Sequence, residues 1–248
     1  MSNVIIITGS SRGIGAATAI FAGQRGHSVC VNYLSNQAAA EKVVGQIESV
    51  GGKAIAVRAD VAVEADVKRL FDTCEGSLGA PRALVNNAGI LETQMRLESM
   101  SLARLQRVLA ANVVGPFLCS REAVRRMSTK HGGAGGAIVN VSSLAARFGA
   151  PGEYVDYAAS KGALDTMTVG LAKEVAGEGI RVNAVRPGYI YTEMHASGGE
   201  PGRVDRLKES IPLGRGGRPE EVAEAILWLL SDAASYVTGS FIDIAGGR

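Results

Sequence analysis

Seven short apolar runs alternate with longer stretches of helical periodicity along the whole chain, and this alternation constrains the fold more than any other feature. The runs are 4–7, 28–32, 54–58, 83–86, 137–141, 181–185 and 241–244. They are apolar almost throughout, as strands covered on both faces should be. Helical patterns lie near 14–25, 37–50, 63–75, 101–128, 157–176 and 219–231. Asn36 suits an N-cap and Gly51–Gly52 a stop for the second helix, and Pro219 suits the first turn of the last. Strand–helix alternation of this kind predicts an α/β fold, with one parallel sheet and helices on both faces. No linker or internal repeat divides the chain, so residues 1–248 read as one domain. The segment 189–218 is the least regular and most polar, and reads as a lid or substrate-binding element.

Composition narrows the function classes. Apolar residues make up 46% of 248, enough for a substantial core. The formal charge is 26 − 24 = +2 with the signs mixed, so no basic tract suits nucleic acid. The start, "MSNVIIITGS", has neither a basic leader nor a long apolar run, so no membrane association is expected. Cys30, Cys74 and Cys119 fit no metal-ligand spacing, and Cys30 and Cys119 read as buried hydrophobes. A reduced, cytoplasmic setting without a metal is the expectation.

Two local patterns carry chemistry. The first strand runs into "TGSSRGIG", residues 8–15, and then a helix. Gly9, Gly13 and Gly15 permit a tight turn and let the backbone approach a pyrophosphate at the positive helix N-terminus. In "DYAASKGALD", residues 156–165, Tyr157 and Lys161 stand four apart and share one helix face. A phenol of pKa near ~10 is a weak base at neutral pH, and a cation beside it lowers that value.

"TGSSRGIG", "NNAG" at 86–89, "NVSS" at 140–143 and "YAASK" at 157–161 resemble, in order and spacing, the short-chain dehydrogenase/reductase family. The resemblance continues through "RVNAVRPG" at 181–188 and "YVTGSFIDIAGG" at 236–247. It is nearest the branch of glucose and ribitol dehydrogenases and ketoacyl-carrier-protein reductases. It implies a doubly wound, seven-stranded Rossmann domain, a nicotinamide cofactor, a small carbonyl or alcohol substrate and a homotetramer. Tyr157 would be the acid or base, Lys161 would lower its pKa and hold the nicotinamide ribose, and Ser143 would polarise the substrate oxygen. Ser143 stands fourteen residues before Tyr157, one more than the family's usual spacing, so Ser142 is the alternative. Asn112 matches the fourth member, which holds a water in a proton relay; the alternative is a buried amide bonded to backbone. The cofactor contacts implied are Gly9, Ser11, Arg12, Gly13, Ile14, Gly15, Asp60, Val61, Asn87, Ala88, Gly89, Pro187, Gly188, Ile190 and Thr192, with Tyr157 and Lys161.

The second strand ends "VNYLSN", with Asn32 where NAD-specific domains often carry an acid on the ribose 2′-hydroxyl. An amide does not repel a 2′-phosphate, and Arg12 resembles the arginine of NADP-preferring members. Leu34 replaces a second basic residue found in many of them. NADP(H) is therefore favoured, with NAD(H) possible. Glu153, Tyr154 and the loop 189–211 with His195 are expected to shape a site for a small polar carbonyl. The alternative is an NADP(H)-binding sensor with little turnover, which the intact Tyr157, Lys161, Ser143 and Asn112 set argues against. The succession Ala225 to Leu230 makes the last helix apolar on more than one face, and "FIDI" makes an open sheet edge; both predict self-association.

Overall fold

A computed structural model describes residues 3–248. All seven expected strands are present: β1 Val4–Ile7, β2 Ser28–Tyr33, β3 Lys53–Arg58, β4 Pro81–Asn86, β5 Gly136–Val141, β6 Ile180–Pro187 and β7 Phe241–Ile244. They form one parallel sheet in the order β3-β2-β1-β4-β5-β6-β7. The order reverses between β1 and β4, so a crevice opens at the carboxyl ends of those strands, the usual ligand position in such sheets.

Strand pleating explains the two cores. Ile5 and Ile7 of β1 face one side, where α1 (Gly13–Gln24), α2 (Gln37–Glu48) and α10 (Pro219–Leu230) cover them. Val4 and Ile6 face the other side, under α3 (Glu64–Leu78), α5 (Gly115–Met127) and α7 (Val155–Val175). Phe71, Leu70 and Ile138 on that side are completely buried. Each such side chain contributes about 1.5–3 kcal/mol of transfer free energy. All three cysteines are buried and unpaired.

The single helix expected over 101–128 is interrupted. α4 (Leu102–Leu109) passes through one π-helical stretch at Ala110–Val114 before α5 begins. The stretch, AANVV, holds no Pro or Gly to mark it, so sequence does not reveal it; π-bulges concentrate at functional sites. The segment 189–218 contains two short helices absent from the sequence reading, α8 (Met194–Ser197) and α9 (Arg203–Leu207). A further short helix, α6 (Ala145–Phe148), follows β5. The segment 189–218 is tied together by ions: Glu200 pairs with Arg203 at 2.9 Å and with Arg206 at 2.5 Å. No helix among the described residues is long and apolar enough to cross a membrane.

Candidate active site

β1 ends at Ile7, and the chain turns through Gly9 (φ +60°) and Gly13 (φ +56°) into α1. A Cβ on Gly9 would lie 2.9 Å from Ala88 Cα, and one on Gly15 would lie 2.5 Å from Asn87 Nδ2. Those two glycines are thus required by the packing of β4's end against the turn. Asn87 Nδ2 donates to the Thr8 and Gly9 carbonyls at 2.9 and 3.0 Å. Thr8 Oγ1 accepts from the backbone N–H groups of Asn87 and Ala88, both at 3.0 Å. Thr8 is a site-building residue that the motif reading passed over.

No side chain caps α1, so its first N–H groups remain available to an outside acceptor, which fits a dinucleotide pyrophosphate. Arg12 is exposed beside Ser11 at this N-terminus. Thr192 crosses over the turn, with Cγ2 3.3 Å from where a Gly13 Cβ would be.

Asn32 corrects the expectation. It is 2% exposed; its Oδ1 accepts the Gly9 N–H at 3.0 Å, and its Nδ2 donates to the Val57 and Ala59 carbonyls at 3.3 and 3.1 Å. Both ends of the amide are spent on holding the glycine turn against β3. β2 also runs one residue further than expected, to Tyr33, so Asn32 is not its last residue. Asn32 therefore positions the turn and has no free group for a ribose hydroxyl. The Val61 side chain is buried against Gly115, so a ligand would meet its backbone. Asp60 Oδ1 accepts the Ala62 N–H at 2.9 Å and closes the turn after β3.

Tyr157 lies in the first turn of α7 and Ser143 just beyond β5. Burial raises the phenol to about 12, and a hydrogen bond with Ser143 opposes the rise. Ser142 is the buried neighbour, its hydroxyl donating to the Lys161 carbonyl at 3.3 Å. Ser143, despite the longer spacing, is the serine that meets the phenol. Burial lowers Lys161 to about 8, partly offset by Asp165. Its Nζ donates to the Val141 carbonyl at 2.8 Å and lies 5.5 Å from the Tyr157 ring centroid.

Asn112 sits in the π-helical stretch, completely buried. Its Oδ1 accepts the Ile90 N–H at 2.8 Å; its Nδ2 donates to the Ile90 carbonyl and to Ser160 Oγ. The side chain thus reads as the buried amide bonded to backbone. Gly89 lies against it, since a Cβ there would be 3.2 Å from Asn112 Oδ1 and 3.6 Å from Lys161 Nζ.

Ser143, Tyr157 and Lys161 line one cavity of about 240 Å³, whereas Gly9, Gly13, Gly15, Gly89 and Asn112 lie outside its lining. Ile14, Asn87, Pro187, Gly188, Ile190 and Thr192, which the resemblance offers as cofactor contacts, line the same cavity. Leu91, Leu144, Phe148, Tyr189 and Met194 also line it, so the wall is more apolar than expected. Tyr154 is buried with its hydroxyl on the Gly198 carbonyl, and Glu153 is ion-paired with Arg203, so neither offers a free polar group. His195 Nε2 lies 3.0 Å from the Ile190 carbonyl. Arg203 and Arg248 line the cavity too, and nothing in the sequence motifs pointed to them.

A doubly wound sheet with a glycine turn at the switch point, and a Ser–Tyr–Lys cluster beyond β5, defines a dinucleotide-dependent oxidoreductase class. A family described as Enoyl-(Acyl carrier protein) reductase matches residues 9–248, and the chain belongs to the short-chain dehydrogenase/reductase family. It is 61% identical over 245 residues to the "Uncharacterized oxidoreductase YgfF" of Escherichia coli, covering 99% of both chains. It is 41% identical over 247 residues to a Synechocystis 3-oxoacyl-[acyl-carrier-protein] reductase, covering 99% of this chain and 96% of that one. A solved short-chain dehydrogenase/reductase from Mycobacterium marinum superposes with a TM-score of 0.92 at 37% identity, covering 99% of this chain and 94% of that one. The protein is therefore an oxidoreductase of a family that uses NAD(P)(H).

Proposed function

We propose that the protein interconverts a small carbonyl compound and its alcohol with NADP(H), through Tyr157, Ser143 and Lys161. The observation that carries this reading is the single cavity lined by both those expected cofactor contacts and the Ser143–Tyr157–Lys161 cluster. The nicotinamide cofactor, when bound, supplies or accepts the hydride. Ser143 donates a hydrogen bond to the substrate oxygen, and Tyr157 gives it a proton as negative charge develops. A phenol near 12 is protonated at neutral pH, which suits reduction. In oxidation Tyr157 must first lose its proton, and the Lys161 cation stabilises that anion. Asn112 is a positioning residue, since it fixes Ile90 and the helix turn at Ser160. Preference for NADP(H) is supported by exposed Arg12 and by Tyr33-Leu34 at the end of β2, where no carboxylate repels a 2′-phosphate. Arg12 is the basic group for that phosphate, and Asp60 and the Val61 backbone flank the adenine. The segment 189–218 serves as lid, and the assembly is a homotetramer.

The test is oxidation of NADPH and NADH with a panel of small aldehydes, ketones and thioesters, in both directions. Turnover with NADPH at tenfold lower KM than NADH is expected. A dinucleotide-binding protein that turns over no carbonyl would instead fit the sensor reading.

A further inference from the structure

Two cations line the cavity without an Asp or Glu side chain in ion-pair distance among the described residues, Lys161 and Arg248; Lys161 belongs to the Tyr157 cluster, and Arg248 has no role yet. Glu153 is engaged by Arg203, and Arg203 is held by Glu200 as well. At the neighbouring sheet edge, Asp243 is shared by Arg147 at 2.7 Å and Arg186 at 3.6 Å, and Arg186 also takes Asp165 at 2.9 Å. Asp243 and Asp165 are thus taken by Arg147 and Arg186. Among the described residues, no Asp or Glu side chain lies within ion-pair distance of the Arg248 guanidinium.

That guanidinium is nevertheless placed. Its central carbon stands 4.8 Å from the Tyr189 ring centroid and 5.9 Å from that of Phe148. Both rings line the same cavity as Ser143 and Tyr157, as does Arg248 itself. Phe148 is 52% exposed, so this is the open, solvent-facing part of the cavity wall. Two aromatic faces hold the fork while its N–H donors stay unspent on protein acceptors. A planar fork held in advance matches carboxylate or phosphate bidentately and loses little entropy when one binds.

We infer that the carbonyl or alcohol substrate carries an anionic group, carboxylate or phosphate, which Arg248 holds while Tyr157 and Ser143 address the reacting oxygen. This rests on the hydride-transfer reading above. Arg248 is then the residue that sets specificity for charged over neutral substrates, and the apolar wall between contacts the carbon chain.

Two matched pairs of aldehydes test it with NADPH: succinic semialdehyde against butanal for carboxylate, and glyceraldehyde 3-phosphate against glyceraldehyde for phosphate. The charged member of at least one pair is expected to show at least tenfold higher kcat/KM. Arg248→Gln should lower that charged-to-neutral ratio by about tenfold to a hundredfold, mostly through KM, the scale of a charge-assisted hydrogen bond. Arg248→Lys, which keeps the charge and loses the fork, should recover part of the ratio. Ratios near one in the unaltered protein, or an unchanged ratio in Arg248→Gln, overturn the inference; turnover of the neutral members would leave the dehydrogenase reading standing. No turnover of any aldehyde with either dinucleotide would remove that reading and the inference together.

Discussion

At Tyr157 the phenol is protonated throughout the neutral range, because burial outweighs the interaction with Ser143. Tyr157→Phe removes the only proton donor on that ring. Turnover should fall by about 10²–10⁴-fold while NADPH affinity, measured by fluorescence titration, stays within a few-fold. Near-normal turnover would reassign the acid. Lys161 sets the pH dependence. Its pKa of about 8 means that it is charged at neutral pH and loses its proton as pH rises through that value. Carbonyl reduction should therefore decline above about pH 8, with no decline between pH 6 and 7; a rate still rising at pH 9 would contradict it. At Asn32 the amide donates to carbonyls of β3 and the segment beyond it. Asn32→Asp places a carboxylate against those carbonyls, so the turn should loosen, costing about 1–3 kcal/mol in urea unfolding. A purely cofactor-directed effect, with stability unchanged, would restore the simpler reading of this position. Sequence named Asn32 correctly as special and assigned it the wrong neighbour, because an amide's partners are set by which strand lies alongside.

Helix α7 is anchored at its start by an ion pair that no motif announced. Asp156 immediately precedes Tyr157, and Arg104 of α4 reaches it at 2.7 Å with both side chains nearly completely buried. Arg104 also donates to the Thr93 carbonyl at 2.5 Å, tying in the loop after β4. Burial alone would raise the Asp156 pKa; the Arg104 guanidinium overcomes this and holds it below the ordinary value. A carboxylate so depressed contributes stability at pH values above its unfolded pKa, near ~3.9, and that contribution is lost as pH falls through the folded value. Arg104→Leu strands a buried charge and should cost about 3–5 kcal/mol, whereas the double change with Asp156→Leu should recover much of it. Thermal or urea unfolding of the four proteins in the cycle measures this. Equal losses in single and double variants would deny the coupling. The pair was hidden in the sequence because its members are 52 positions apart. The π-helical stretch at Asn112 was hidden for a different reason: its residues, AANVV, include no Pro or Gly that would signal a change of helix type.

For the whole molecule, α10 and β7 carry the assembly prediction. Val222, Ala223, Ile226, Leu227 and Leu229 of α10 are buried in the chain's own core, yet Trp228 is 43% exposed. β7 pairs only with β6 and is partly exposed along its length. A tetrameric mass by light scattering at micromolar concentration is expected, and Trp228→Glu should reduce it to dimers or below. A single-chain mass for the unaltered protein would refute the assembly. Much of this architecture was legible beforehand: seven apolar runs and six intervening helical patterns dictate a parallel sheet covered on both faces, because only such strands must be apolar on both sides. Glycine spacing and the Tyr157–Lys161 interval were legible too, since turn geometry and helix pitch are local. Only the tertiary structure decided that Ser143, not Ser142, meets Tyr157, that Asn32 and Asn87 brace the turn, and that Arg203 and Arg248 border the cavity. Those facts depend on side chains from distant segments converging in space, and local periodicity carries no information about such convergence.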